Sequence, residues 1–253
     1  MPKLIRRFLA LSIFCVTGAF GQQGTFGQIA YGGSWQTTFT LMNMSSASPV
    51  DVTLSFFGDD GSPLNAPVQG GGNVSTYMFT LPPSGAQNVV LSSSDSQTVQ
   101  GWASMSVSGG TVRGQGSFRF LLPNGTISEA VVPLSISGTP GCIFPFPPPP
   151  DPIILVPFDN TAGYVTSLAL ANTTSSDLSI AIEFDDQSNG PLVKDTVPLP
   201  AMHHTAFVTT QKYQTLPGTK GILRIHAGTA QLTVLGLLSN PTGAVTTIIP
   251  VTQ

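Results

Sequence analysis

Four carboxylates stand in pairs, Asp59 with Asp60 and Asp185 with Asp186, and they are the clustered acids of this chain. Calcium takes several oxygen ligands from carboxylates, carbonyls and waters, so each pair is a calcium candidate. The pairs lie in Phe57-Gly-Asp-Asp-Gly-Ser-Pro-Leu64 and Phe184-Asp-Asp-Gln-Ser-Asn-Gly-Pro-Leu192. Asp, Asn, Ser and Gly in such runs close turns by bonding their own backbone and need no ion. The expectation is therefore two structural turns, with no metal and no cofactor.

The histidines offer less. His203 and His204 are adjacent, so on a strand they point to opposite faces. His226 falls on the outward face of its strand beside Arg224, and no Cys or acid stands at a zinc-like spacing from any of the three. All three are expected at the surface. The chain has no Gly-x-Ser-x-Gly elbow, and all its histidines lie beyond residue 200, which argues against a Ser-His-acid site. Adjacent aspartates in a turn diverge rather than flank a glycosidic bond. Gly70-Gly-Gly72 lies between strand patterns and reads as a hairpin tip, not a phosphate loop. Catalysis is not expected.

Aromatic residues remain. Alternation puts Trp102 on the side shared with Ser104 and Ser106, away from Ala103, Met105 and Val107. Trp102 is thus the expected exposed aromatic, the pointer to a ligand surface and to carbohydrate binding. Trp35 and Tyr164 hold equivalent inward positions and are expected to be buried core anchors. Asn-x-Ser/Thr triplets at Asn43, Asn73, Asn124 and Asn172 fit a glycosylation pattern that Ser/Thr-rich strands also produce by chance.

The elements that must carry these residues occur twice. Trp35-Gln-Thr-Thr-Phe-Thr-Leu-Met-Asn43 is answered by Tyr164-Val-Thr-Ser-Leu-Ala-Leu-Ala-Asn172, and each leads through a Ser/Thr-rich turn into an alternating strand and an Asp pair. Gly101–Gly109 is matched by 221–228, and the ends run to Pro133 and Pro250. Period-two alternation predicts antiparallel strands with one apolar face, and the internal repeat predicts two units of one fold. Asn65 to Asn73, rich in Gly, is an insertion peculiar to the first copy. Between the copies runs Pro140-Gly-Cys-Ile-Phe-Pro-Phe-Pro-Pro-Pro-Pro-Asp-Pro152, whose consecutive prolines predict an extended spacer holding the units apart. Gln211–Pro217 is the one helical hint, a single turn.

Lys3, Arg6 and Arg7, the apolar run Phe8 to Phe20 and the small residues Ala19 and Gly21 have the layout of a secretory signal peptide, with cleavage expected before Gln22. The apolar run is too short to span a bilayer. Phe14 stands where a lipobox ahead of Cys15 needs a small residue. Residues 1–21 carry three of the nine basic residues and none of the twelve acidic ones, so the mature formal charge is −6, a sign that disfavours nucleic acid and anionic membranes. With Cys15 removed, Cys142 has no intramolecular partner and is expected as a spare thiol. Charged residues make up 8% of the chain against 27 Gly and 22 Pro, a composition suited to short strands and turns.

The order of an alternating strand ending in Asn, a Ser/Thr turn, a second alternating strand, an Asp-Asp hairpin, Leu-Pro and a Gly-led strand resembles exported bacterial proteins built from two immunoglobulin-like repeats. The resemblance implies an all-β fold of two tandem immunoglobulin-like antiparallel β-sandwich domains and brings no functional residue with it. The expected organisation is a signal peptide over 1–21, a first sandwich over 22–139, a proline-rich linker over 140–151 and a second sandwich over 152–253. The expected role is a secreted or cell-envelope module, non-enzymatic, structural or adhesive, whose partner is a protein or glycan at the cell surface. The alternative is a carbohydrate-binding module using an aromatic patch at Trp102.

Overall fold

The computed structural model describes residues 21–122, 124–136, 152–227 and 232–253. Residues 1–20, the linker 140–151 and Cys142 lie outside the described residues. The chain is all-β and antiparallel, as the alternation predicts.

The first half runs through β1 (Gln22–Tyr31), β2 (Trp35–Asn43), β3 (Val50–Gly58), β4 (Ala66–Val68), β5 (Gly72–Val74), β6 (Thr76–Leu81), β7 (Ala86–Ser92), β8 (Val99–Ser108), β9 (Val112–Leu121) and β10 (Ile127–Ile136). Its strands follow the order β5-β4-β7-β2-β9-β10-β1-β8-β3-β6. That ribbon folds over on itself, and its two limbs face each other through Phe26, Phe39 and Phe56, with Phe39 4.6 Å from Phe26 and 6.2 Å from Phe56 between ring centroids. The insertion at Asn65 to Asn73 supplies β4 and β5, a small hairpin that docks on β7 through Val68 opposite Leu91.

The second half comprises β11 (Ile153–Asp159), β12 (Val165–Asn172), β13 (Leu178–Asp186), β14 (Pro191–Leu199), β15 (His204–Val208), the single-turn α1 (Thr209–Lys212), β16 (Lys220–His226), β17 (Leu232–Ser239), β18 (Val245–Ile248) and β19 (Val251–Thr252). It forms two sheets, β14-β13-β16-β11-β19 and β15-β12-β17-β18, around Phe158, Leu168, Leu170, Ile182 and Phe184.

Proline marks the place where the last strand of each half changes sheets. β10 pairs with β9 as far as Pro133 opposite Gln115, then with β1 from Leu134 opposite Phe26. In the second half β18 pairs with β17, β19 pairs with β11, and Pro250 lies between them. A residue without an N–H can leave one ladder before joining the next without orphaning a donor.

A buried threonine ties the first two strands of each half. Thr37 Oγ1 donates to the Ala30 carbonyl (2.7 Å) and accepts from Ala30 N–H (2.9 Å). Thr166 Oγ1 does the same with the Asp159 carbonyl (3.1 Å) and N–H (2.9 Å). Both side chains are fully buried, so the hydroxyl satisfies backbone groups that the strand crossing leaves without a ladder partner.

The two halves are not held apart. Strand β1 is buried from Gly24 to Tyr31 and β12 from Leu168 to Asn172 on both alternating sets, which requires cover on each face. One face of β12 carries Leu168 and Leu170 into its own core, and the other turns Ala169 into the core of the first half together with Leu235. The β10-β1-β8-β3-β6 limb thus lies back to back with β15-β12-β17-β18, and a Cβ added at Gly27 would stand 2.7 Å from Thr233 Cγ2. Small residues at Gly27 and Ala169 permit that approach. Ser128 Oγ accepts from Val245 N–H (2.7 Å) and Thr247 Oγ1 donates to the Val131 carbonyl (2.5 Å) along the same seam. The expectation of separated units fails because it weighed the proline run and not the small, apolar outward faces.

Candidate functional site

Trp102 corrects the expected exposed patch. Its side of β8 is the one alternation assigns, but the second half covers that side and leaves Trp102 1% exposed. The indole stacks on Phe57 at 4.4 Å and 18°, and its Nε1–H donates to the Met202 carbonyl at 2.8 Å. Gly101 precedes it on β8, where a Cβ would collide with the Phe57 carbonyl. Met202 itself adopts φ 62° and packs on Gly61. Trp102 is therefore an anchor between the halves rather than a ligand platform.

The same loop brings His204 to Asp59. His204 N–H donates to the Asp59 carbonyl (3.0 Å), and Nδ1 lies 2.7 Å from Asp59 Oδ1. The imidazole is fully buried while the Asp59 carboxylate is 63% exposed, so the histidine expected at the surface instead lies inside the interface. His204 Nε2 is buried without a hydrogen-bond partner among the described residues. His203 stays half-buried, with Nδ1 3.0 Å from the Ala201 carbonyl.

The Asp pairs are not equivalent in space. In the first turn Gly58 N–H bonds the Ser62 carbonyl and Gly61 N–H bonds Gly58; in the second Asp186 N–H bonds Gly190 and Asn189 N–H bonds Asp186. Asp186 therefore holds the place of Gly58, and Asp185 that of Phe57. Asp60 Oδ1 accepts from Ser62 N–H (3.0 Å) and Oγ (2.6 Å), bonds that hold its carboxyl below the usual carboxylate range. Asp186 Oδ1 accepts from Ser188 and Gly190 N–H, both at 2.8 Å. Asp185 is buried against Arg224 in an ion pair. Asp185, Asp186 and Asp159 line a hollow of about 620 Å³ with Lys220 and Arg224. Among the described residues no three His, Cys, Asp or Glu gather in a way that could hold a metal ion.

A second concave feature is a cleft of about 410 Å³ between the halves, with Trp35 and Phe120 on one wall and Phe207 and Gln211 on the other. Clefts at domain interfaces are a preferred place for ligands. Trp35 is half-buried at the margin of the first core, stacked on Phe120 at 4.5 Å and 29° and edge-on to Phe118 at 5.9 Å. It follows three consecutive residues with positive φ, Gly32 (72°), Gly33 (54°) and Ser34 (75°). A left-handed serine is strained backbone, and such strain concentrates at functional positions. Gln28, 9% exposed, donates from Nε2 to Gln100 Oε1 at 3.0 Å, and both amides line the cleft and a deeper recess of about 80 Å³ behind Trp35.

Tyr164, expected in the core, is 39% exposed because it precedes β12 instead of lying within it. Sequence reasoning missed the cleft because its walls come from the two different halves of the chain. The three successive residues Gly32-Gly33-Ser34 ahead of an aromatic were the available signal. Two glycosylation triplets are also decided by geometry: Asn43 and Asn172 are buried and bonded, whereas Asn73 and Asn124 are exposed. No protein-family model matches the chain, and no curated protein matches it.

Proposed function

We propose that the chain is an exported, non-enzymatic interaction or structural module of the cell surface, made of two immunoglobulin-like sandwiches fused back to back. The pairings β2 with β7 and β3 with β8, repeated as β12 with β15 and β13 with β16, correspond to the B–E and C–F pairs of that fold. Two positions are exchanged. β9 and β17 flank the B position where strand A belongs, and β1 and β11 flank the F position where strand G belongs.

The observation that carries the reading is the use to which the reactive groups are put. Asp59 and His204 join the two halves, Trp102 joins them again, and Asp185 neutralises Arg224 within the second. Groups spent on holding a rigid four-layer body favour a module that presents surfaces.

Export is supported by the start of the first strand. Gln22 opens β1, and its side-chain amide donates to the Val112 carbonyl (2.8 Å) and accepts from Val112 N–H (2.7 Å). A chain cleaved before Gln22 keeps the whole sandwich. Cell fractionation with intact mass spectrometry tests this. The expected species lies outside the cytoplasm and begins at Gln22, allowing for cyclisation of that residue with loss of ammonia. Met1 retained on protein confined to the cytoplasm would contradict the proposal.

A further inference from the structure

We infer that the cleft at Trp35 binds a neutral saccharide. The inference rests on the reading of the chain as an exported interaction module and names the ligand class of that module.

Charge comes first. The described residues that line the cleft include no Asp, Glu, Lys, Arg or His, so an anionic or cationic ligand would leave water without a counter-charge. Nucleotides and acidic glycans are disfavoured on that ground. An apolar ligand fails for a different reason. Gln28 and Gln100 use one donor and one acceptor on each other, while each carboxamide has two N–H groups and an oxygen with two lone pairs. Covering them with hydrocarbon would strand that remaining capacity, which costs more than the burial returns.

A sugar ring fits both demands. Its axial C–H groups give an apolar face that packs on an aromatic surface such as the Trp35 and Phe120 pair. Its hydroxyls donate and accept, as do the carboxamides of Gln28, Gln100 and Gln211 and the hydroxyls of Ser167 and Ser239 on the cleft walls. The volume of about 410 Å³ lies in the range of small-molecule sites. Because β1, β2, β8 and β9 supply one wall and β12, β15, α1, β17 and β18 the other, the site exists only when the halves are joined.

The test uses the full mature chain on an array of neutral and acidic oligosaccharides, followed by titration of the neutral disaccharides maltose and cellobiose and of the strongest neutral array probe, with tryptophan emission as readout for the parent and Gln211→Ala and isothermal titration calorimetry for Trp35→Ala, which lacks the reporting indole. Trp102 is buried and bonded, so a change in emission reports Trp35. The expected result is saturable binding of a neutral probe. Binding should vanish in Trp35→Ala and weaken by about threefold to tenfold in Gln211→Ala, the effect of one lost hydrogen bond. Gln211 is exposed on α1, so its variant folds and melts as the parent does and remains decisive if Trp35→Ala proves unstable. Silence on every neutral probe overturns the inference, as does undiminished binding by Gln211→Ala and Trp35→Ala. If the protein is found outside the cytoplasm and the array is silent, the saccharide inference falls and the exported-module reading stands.

Discussion

The Nε1–H of Trp102, on the eighth strand of the first half, donates to the carbonyl of Met202, one hundred residues later, across the seam between the halves. An indole that is buried, stacked on Phe57 and bonded at its one donor has every part of its surface in use. Truncating such a side chain costs about 3 to 5 kcal/mol. Trp35 is half-buried beside an open cleft, and its loss removes less contact. Urea denaturation should rank Trp102→Ala well below Trp35→Ala in stability. The reverse order would mean that the seam does not close over Trp102.

Asn43 and Asn172 make the same three bonds in the two halves. Asn43 Nδ2 approaches the carbonyls of Ser48, Leu81 and Pro82 at 2.9, 3.2 and 3.0 Å, and Asn172 Nδ2 those of Ser176, Leu199 and Pro200 at 2.8, 3.0 and 2.9 Å. Each Oδ1 accepts from the N–H two residues on. Replacing either by Ala takes an amide donor from a buried carbonyl, that of Leu81 or Leu199, at about 1 to 3 kcal/mol. Thermal melts of Asn43→Ala and Asn172→Ala should therefore fall by similar amounts. Expressed in a glycosylating host, the protein should carry no glycan at either position on peptide mapping, because both amides are buried and bonded.

Tyr213 and Asp195 predict a stability difference that depends on pH. The Tyr213 hydroxyl donates to Asp195 Oδ2 at 2.7 Å. Burial pushes the phenol up, with the Asp195 bond adding to it, and the same bond holds the Asp195 carboxyl low. A depressed carboxyl stabilises the fold above its unfolded value of about 4 and loses that contribution as pH falls through the folded one; a raised phenol stabilises below about 10 and loses it as pH rises. The melting-temperature gap between the parent and Tyr213→Phe should be widest from about pH 5 to 9 and should narrow toward both extremes. A gap independent of pH would show that the bond does not form in solution.

The strands were legible in the sequence because alternation is a local signal. Ala103, Met105 and Val107 do face the core of the first half, and Leu168 and Leu170 that of the second. Alternation assigns Trp102 to its correct side of β8 as well. What it does not carry is whether the other side meets water, since that depends on a sheet contributed by residues a hundred positions away. Hence Trp102 and His204 lie inside where the surface was expected, and Tyr164 the reverse. The Asp pairs illustrate a second limit: the turns are related by their backbone bonds, and the two Asp-Asp runs sit two positions out of step on them. The cleft is illegible for the reason Trp102 is, being a product of the seam.

The back-to-back seam is the central claim, because it buries Trp102 and creates the cleft. Gly27 on β1 and Thr233 on β17 meet across it, with a Cβ built at Gly27 3.5 Å from Thr233 Cβ. That separation lies within the range of a disulfide. The most direct measurement is crosslinking of the folded variant Gly27→Cys/Thr233→Cys with Cys142→Ser, read by non-reducing electrophoresis and peptide mass spectrometry. The account predicts a 27–233 disulfide that forms within monomers under mild oxidation. Two free thiols at these positions in a folded monomer would contradict it.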